Sequence, residues 1–161
     1  MEKRFRIAEV NAMDDAALIG MLTRCLAVRR WARELAAGRP YTDVTALLAR
    51  ADALSASLSD EEIMRALADH PRMGERTAPG TMSAREQSGV DTALADRLLA
   101  ANIAYEQRFD HIYLVCARGR GGEELLADLN ERMANDPATE LGVVRRELGR
   151  IAALRLAEMI G

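Results

Sequence analysis

The chain has 161 residues, of which 49% are hydrophobic and 29% charged, so it can bury a sizeable core and is not a disordered polymer. Twenty-one arginines and a single lysine face 25 acidic side chains, for a net charge of −3. With a pI near 5.5, this balance excludes a general polyanion binder, and no nucleic-acid partner is expected. No apolar run approaches the ~18 residues of a membrane span. The opening Met1-Glu2-Lys3-Arg4-Phe5-Arg6 has no apolar stretch behind it to act as a signal peptide. A cytoplasmic protein with no membrane partner is the expectation. Cys25 and Cys116 lack metal or redox spacing and are expected to be buried free thiols in a reducing compartment.

Ala, Leu, Arg, Glu and Met dominate, and these residues favour helix. An all-α, single-domain, multi-helix bundle spanning residues 1–161 is predicted. Asp14 or Asp15 caps a helix through Leu18, Leu22 and Cys25, which continues or breaks before Trp31 and Leu35. Gly38-Arg39-Pro40 stops it. Thr42 opens a second stretch, with Val44, Leu47, Leu48, Ala51 and Leu54 at helical spacing. Ser59-Asp60-Glu61-Glu62 is a capping box for a short helix that must stop near Asp69, because Pro71 biases His70 toward extended backbone.

From His70 to Met82 two prolines and two glycines interrupt periodicity, predicting a long loop of the kind that often carries function. Ser83-Ala84-Arg85-Glu86 is a second capping box, followed by a helix or helical turn. A long helix from Thr92 to Phe109 comes next, with Leu94, Leu98, Ala101 and Tyr105 on one face. Ile112–Ala117 is a short apolar run for which helix and buried extended chain stay open. A helix from Glu123 to Asn135 follows Gly119-Arg120-Gly121-Gly122. Asp136-Pro137 then caps and opens a final helix to Met159. No repeat or linker is visible.

Only two histidines exist. His70 sits past a helix C-terminus and opens the long loop, which makes it the best acid–base candidate. Position alone also allows a helix-terminating histidine that bonds the last carbonyls. His111 lies in a charged turn beside Asp110 and is the weaker candidate. Glu86 either completes its capping box or, with Ser83 and Gln87, holds an anionic ligand at a helix start. Arg155 falls about 20° from Val144 and Leu148 on a helical projection, inside an apolar stripe. It must snorkel, pair internally or face a cleft. No metal-binding cluster is apparent, and any catalysis is expected to be acid–base or electrostatic.

Several separated segments, in order, resemble the 2-oxo-4-hydroxy-4-carboxy-5-ureidoimidazoline (OHCU) decarboxylases. They are His70-Pro71-Arg72-Met73-Gly74-Glu75, Ser83-Ala84-Arg85-Glu86-Gln87-Ser88-Gly89, and Asn102 through Tyr105-Glu106-Gln107-Arg108-Phe109. Tyr113-Leu114-Val115-Cys116-Ala117, Asn135-Asp136-Pro137-Ala138-Thr139-Glu140 and Ile151-Ala152-Ala153-Leu154-Arg155-Leu156 complete the set. The resemblance implies an all-helical lyase that decarboxylates and protonates OHCU to (S)-allantoin, the last step of urate breakdown to allantoin, without metal or organic cofactor. It implies catalytic His70 and Glu86. Substrate contacts would come from Pro71, Ser83, Ala84, Arg85, Glu86, Gln87, Tyr113, Leu114, Val115, Cys116, Ala117 and Arg155. It also implies a homodimer. Gly119-Arg120-Gly121-Gly122 replaces the family's usual Ser-capped turn, and Asp110-His111 replaces a more apolar or Gly-containing pair. Met159-Ile160-Gly161 is not a peroxisomal tripeptide, in keeping with a cytoplasmic enzyme. The rival readings are a non-catalytic helical interaction domain and an arginine-rich nucleic-acid binder.

Overall fold

The computed structural model describes residues 3–71 and 92–161. Among them, every regular element is an α-helix: α1 (Ile7–Ala12), α2 (Asp15–Cys25), α3 (Arg29–Ala37), α4 (Val44–Ala56), α5 (Asp60–Ala68), α6 (Thr92–Phe109), α7 (Gly122–Arg132) and α8 (Pro137–Met159). The all-α expectation holds. The predicted loop beyond Pro71 and the second capping box at Ser83–Glu86 lie outside the described residues. The chain forms two compact units, Met1–Ala66 with Gly142–Gly161, and Leu67–Leu141.

Local chemistry sets the helix ends. Asp14 and Asp43 accept from the backbone N–H groups of Ala17 and Ala46, so the second predicted start moves from Thr42 to Asp43. The first predicted helix breaks at Leu26, whose backbone is extended (φ −151°, ψ 117°), and α3 starts after Val28. Gly38 ends α3 for a packing reason. A Cβ there would collide with the Tyr41 hydroxyl, which donates to the Leu35 carbonyl at 2.5 Å. In the first unit Trp31 is fully buried, and its indole N–H reaches the Ala51 carbonyl and the Ser55 hydroxyl at 3.2 and 3.1 Å. The buried stripe of α8 in this unit is Val144, Leu148, Ala152 and Leu156, while Ile151 is half-buried. Main-chain bonds from Phe5 to Met159 and from Gly161 to Phe5 tie the two ends of the unit together.

The second unit is built on α6 and α7. Tyr105, Phe109, Tyr113, Val115, Leu125 and Leu129 form its core, with Leu98, Ala101 and Met133 packed against them. Asp110 ends α6 at φ 61°, a left-handed backbone that Asp tolerates better than most side chains. Gly119 (φ 78°) makes the turn before α7. The α7 N-cap, Gly121, has no side-chain bond, and the acidic Glu123 and Glu124 face the positive helix end instead. The predicted extent of α7 is too long: it ends at Arg132, and Met133–Asn135 turn toward Pro137.

The capping box of α5 doubles as an ion-pair anchor. Ser59 and Glu62 bond each other's backbone N–H groups at 3.1 and 2.9 Å. The same Glu62 carboxylate receives two Arg30 N–H bonds of 2.9 Å. Hydrogen bonds from Arg30 above all hold Glu62 down to about 2 from its ordinary 4.5. A carboxylate depressed in the folded state stabilises it fully above the ordinary pKa, and this contribution is lost as pH falls from 4.5 toward 2. Glu62→Gln keeps the capping box and removes the charge. It is expected to lower stability by about 1 kcal/mol near neutrality, because Arg30 is partly exposed and screened. The gap from wild type should close near pH 2, as read from urea midpoints across pH.

Candidate active site

Helix α5 delivers His70. Its backbone N–H still bonds the Leu67 carbonyl at 3.1 Å, after which Pro71 ends the helical ladder. His70 Nδ1 lies 3.0 Å from the Pro71 carbonyl oxygen. A carbonyl only accepts, so this contact places the hydrogen on Nδ1 and the lone pair of the neutral ring on Nε2. His70 Nε2 is buried and has no hydrogen-bond partner among the described residues. A buried polar atom left without a partner costs stability, and such an atom marks a place where a ligand or a transferred proton would be accepted.

Residues 112–117 are neither helix nor paired strand. Tyr113 and Val115 enter the α6–α7 core, whereas the buried Leu114 is outside that cluster, the alternation of an extended chain. Tyr113, Leu114 and Val115 are buried. Cys116 is only half-buried, contrary to the expectation, because the chain climbs toward the exposed turn at Arg118-Gly119. Cys25 is buried as expected, and burial pushes its thiol up to about 11 against the charge of Arg155.

Behind this segment lies an ion network that sequence reasoning missed. Glu140 is 0% exposed and Arg132 3%. Arg132 Nε and Nη2 donate to Glu140 Oε2 at 2.8 and 2.6 Å, and Nη1 donates to the Leu114 carbonyl at 2.9 Å. The Tyr105 hydroxyl also donates to Glu140 Oε2, and Asn135 Nδ2 reaches Oε1 at 3.1 Å. The Tyr113 hydroxyl donates to Asp128, and the Arg132 guanidinium sits 4.7 Å from the Tyr113 ring centroid. Burial, then the hydrogen bonds to Glu140 and Asp128, hold both tyrosines well above the ordinary phenol range. Burial disfavours the Arg132 charge, but the pairing with Glu140 outweighs it and raises the pKa. A signal existed: Arg132 follows Leu125 and Leu129, and Glu140 precedes Val144 and Leu148, so each charge continues an apolar stripe.

Arg155 is half-buried beside the α8 stripe, and its Nη1 donates to the carbonyl of Cys25, the last residue of α2, at 3.2 Å. A cation at a helix C-terminus meets unsatisfied carbonyls and a favourable dipole. Of the three options open to Arg155, internal pairing is realised for one N–H. Among the described residues no second acceptor bonds the guanidinium. His70, Pro71 and Tyr113–Ala117 belong to the second unit and Arg155 to the first. Ser83, Ala84, Arg85, Glu86 and Gln87 lie outside the described residues. No group of three or more His, Cys, Asp or Glu gathers as in a metal site, and no helix is long and apolar enough to cross a membrane, among the described residues.

Comparison with known proteins places this geometry. The family model for OHCU decarboxylase matches residues 11–157. The uric acid degradation bifunctional protein TTL of Arabidopsis thaliana is 28% identical over 145 residues, which cover 84% of this chain and 45% of that protein. The chain spans under half the length of the bifunctional relatives it matches. The OHCU decarboxylase of Haloferax volcanii is 25% identical over 158 residues, covering 94% of each chain. A crystal structure of an OHCU decarboxylase in the presence of (S)-allantoin superposes with a TM-score of 0.73 at 23% identity, covering 91% of this chain and 97% of that one, so the fold is shared. The family match runs through His70, through the Arg132–Glu140 network and through Arg155, and on that extent this chain belongs to the OHCU decarboxylase family.

Proposed function

We propose that the chain, acting as one domain, decarboxylates OHCU and protonates the product on one face to give (S)-allantoin. Family membership supports the reaction class. The observation that carries the mechanism is His70 Nε2, buried and unpartnered among the described residues, in a ring whose Nδ1 faces the Pro71 carbonyl. In the reaction, the bond from the carboxylate to the hydroxyl-bearing carbon breaks. Its electrons move toward the adjacent ring C=N, whose nitrogen takes a proton. The hydroxyl proton then leaves as the C=O forms, and the ureido-bearing carbon receives a proton. The substrate's own C=N is the electron sink, so the chemistry asks for no organic cofactor. What the protein supplies is proton transfer, orientation and an environment that favours the anion.

In this reading His70 moves the proton, and Glu86 orients it or bonds the ureido N–H groups. Pro71, Ser83, Ala84, Arg85, Gln87 and the backbone of Tyr113–Ala117 hold the substrate, and Arg155 supplies charge for an anionic group. A homodimer in the cytoplasm completes the proposal. The dimer is supported by the family resemblance, and the compartment by two cysteines that are not disulfide-bonded. Incubation with freshly generated OHCU, followed by circular dichroism, tests the reaction. Chiral allantoin formed faster than in buffer supports it, and an inert folded protein leaves the interaction-domain reading.

His70→Ala and His70→Asn are expected to fold normally and to lose about 10²–10⁴-fold in turnover. Near-wild-type rates would remove His70 from the mechanism. Glu86→Gln would still complete the capping box expected from the sequence, so its melting temperature should hold while activity falls. An active variant would leave Glu86 a capping role only. For Arg155, calorimetric affinity for allantoin should fall in the order wild type, Lys, Met, since Lys keeps the charge without the planar two-pronged contact. Equal affinity in all three would return Arg155 to its bond with Cys25 alone.

A further inference from the structure

The six residues from Ile112 to Ala117 have no helix or strand ladder to fix their main chain. Side chains meet this main chain directly: Arg132 donates to the Leu114 carbonyl at 2.9 Å, and His111 Nδ1 lies 3.0 Å from the Ile112 carbonyl oxygen. That carbonyl and the Val115 N–H belong to one rigid trans peptide plane and point in opposite directions. Holding the carbonyl therefore aims the N–H. The Val115 N–H has no acceptor among the described residues, although Val115 is only 9% exposed. Buried N–H groups are almost always paired, and no described residue supplies an acceptor for this one. Glu140 in turn locks the guanidinium by two N–H bonds, and Asn135 and Tyr105 lock Glu140.

We propose that Arg132 is a positioning residue for substrate binding: anchored by Glu140, it fixes the Leu114–Val115 peptide plane so that the Val115 N–H donates to a carbonyl oxygen of the bound ureidoimidazoline. The proposal rests on the reading that Tyr113–Ala117 contact the substrate. It adds a residue that touches no ligand and acts through the main chain. The prediction is a binding defect with chemistry spared, since His70 is not part of the network.

The test compares wild type, Arg132→Lys and the double variant Arg132→Met/Glu140→Gln, each titrated with (S)-allantoin while backbone amide resonances are followed by NMR. Removing both charges together avoids stranding a buried carboxylate, so the double variant should fold and melt close to wild type. In wild type the Val115 amide should shift on titration. In the double variant allantoin affinity should weaken and KM rise by about tenfold or more, with kcat changed only a few-fold and the Val115 response lost. Arg132→Lys should fall between, because a single ammonium cannot reproduce the fork on Glu140 and the bond to Leu114. Unchanged affinity in a folded double variant, with the Val115 shift intact, overturns the proposal while leaving the segment as a contact. A wild-type Val115 amide that ignores bound allantoin overturns the segment reading, and the proposal with it. If the double variant does not fold, Arg132→Lys decides alone, and wild-type affinity and Val115 response there overturn the proposal.

Discussion

A carboxylate with no solvent exposure organises the second unit. Glu140 is buried completely, and four donor groups from Arg132, Tyr105 and Asn135 replace the water it has lost. Breaking such a pair by removing one partner strands the other charge, at a cost of about 3–5 kcal/mol. The donors come from the end of α6, the end of α7 and the connection into α8, so one acceptor sets where three elements meet. What packing alone leaves loose, this acceptor orients. The apolar cluster of Tyr105, Phe109, Tyr113, Val115, Leu125 and Leu129 supplies most of the burial. Hydrophobic contact is non-directional, however, and tolerates small shifts that a buried hydrogen-bonded pair does not.

Two of the charged anchors among the described residues work on different scales. Arg30 and Glu62 sit near the surface, and their pair extends a local capping box, so it adds modest stability to a helix start already specified by Ser59. Arg132 and Glu140 are sealed from water, and their partners come from separate parts of the unit. The first is a stability device that titrates in acid. The second spends its stability on holding an unladdered stretch of backbone in one conformation.

His70 shows how a local rule becomes a chemical group. Pro71 stops α5, the histidine falls just beyond the last turn, and its Nδ1 turns to the Pro71 carbonyl. One nitrogen is thereby occupied, which leaves the other buried and without a partner among the described residues. The proline that ends the helix is also the hydrogen-bond acceptor that sets the ring. The same two residues account for the helix stop and for the orientation of the ring.

The all-α class, the caps at Asp14 and Ser59, the stop at Pro71 and the candidacy of His70 were legible in the residues, because each depends on neighbours within a turn or two. The order of separated motifs pointed to the family for the same reason: it is a property of the chain as a string. The roles of Tyr105 and of Asn135–Glu140 were not legible, although both motifs were visible. Their hydrogen bonds join residues 35 and 5 positions apart, and no local pattern states which distant donor a buried acid will meet. Arg155 was recognised as a charge on an apolar stripe, but its bond to Cys25 spans 130 positions and only the folded chain reveals it. Tertiary structure alone decided that Ile112–Ala117 is neither helix nor paired strand, because its contacts, from the packing of Tyr113 and Val115 to the bond from Arg132 to the Leu114 carbonyl, come from outside its own periodicity.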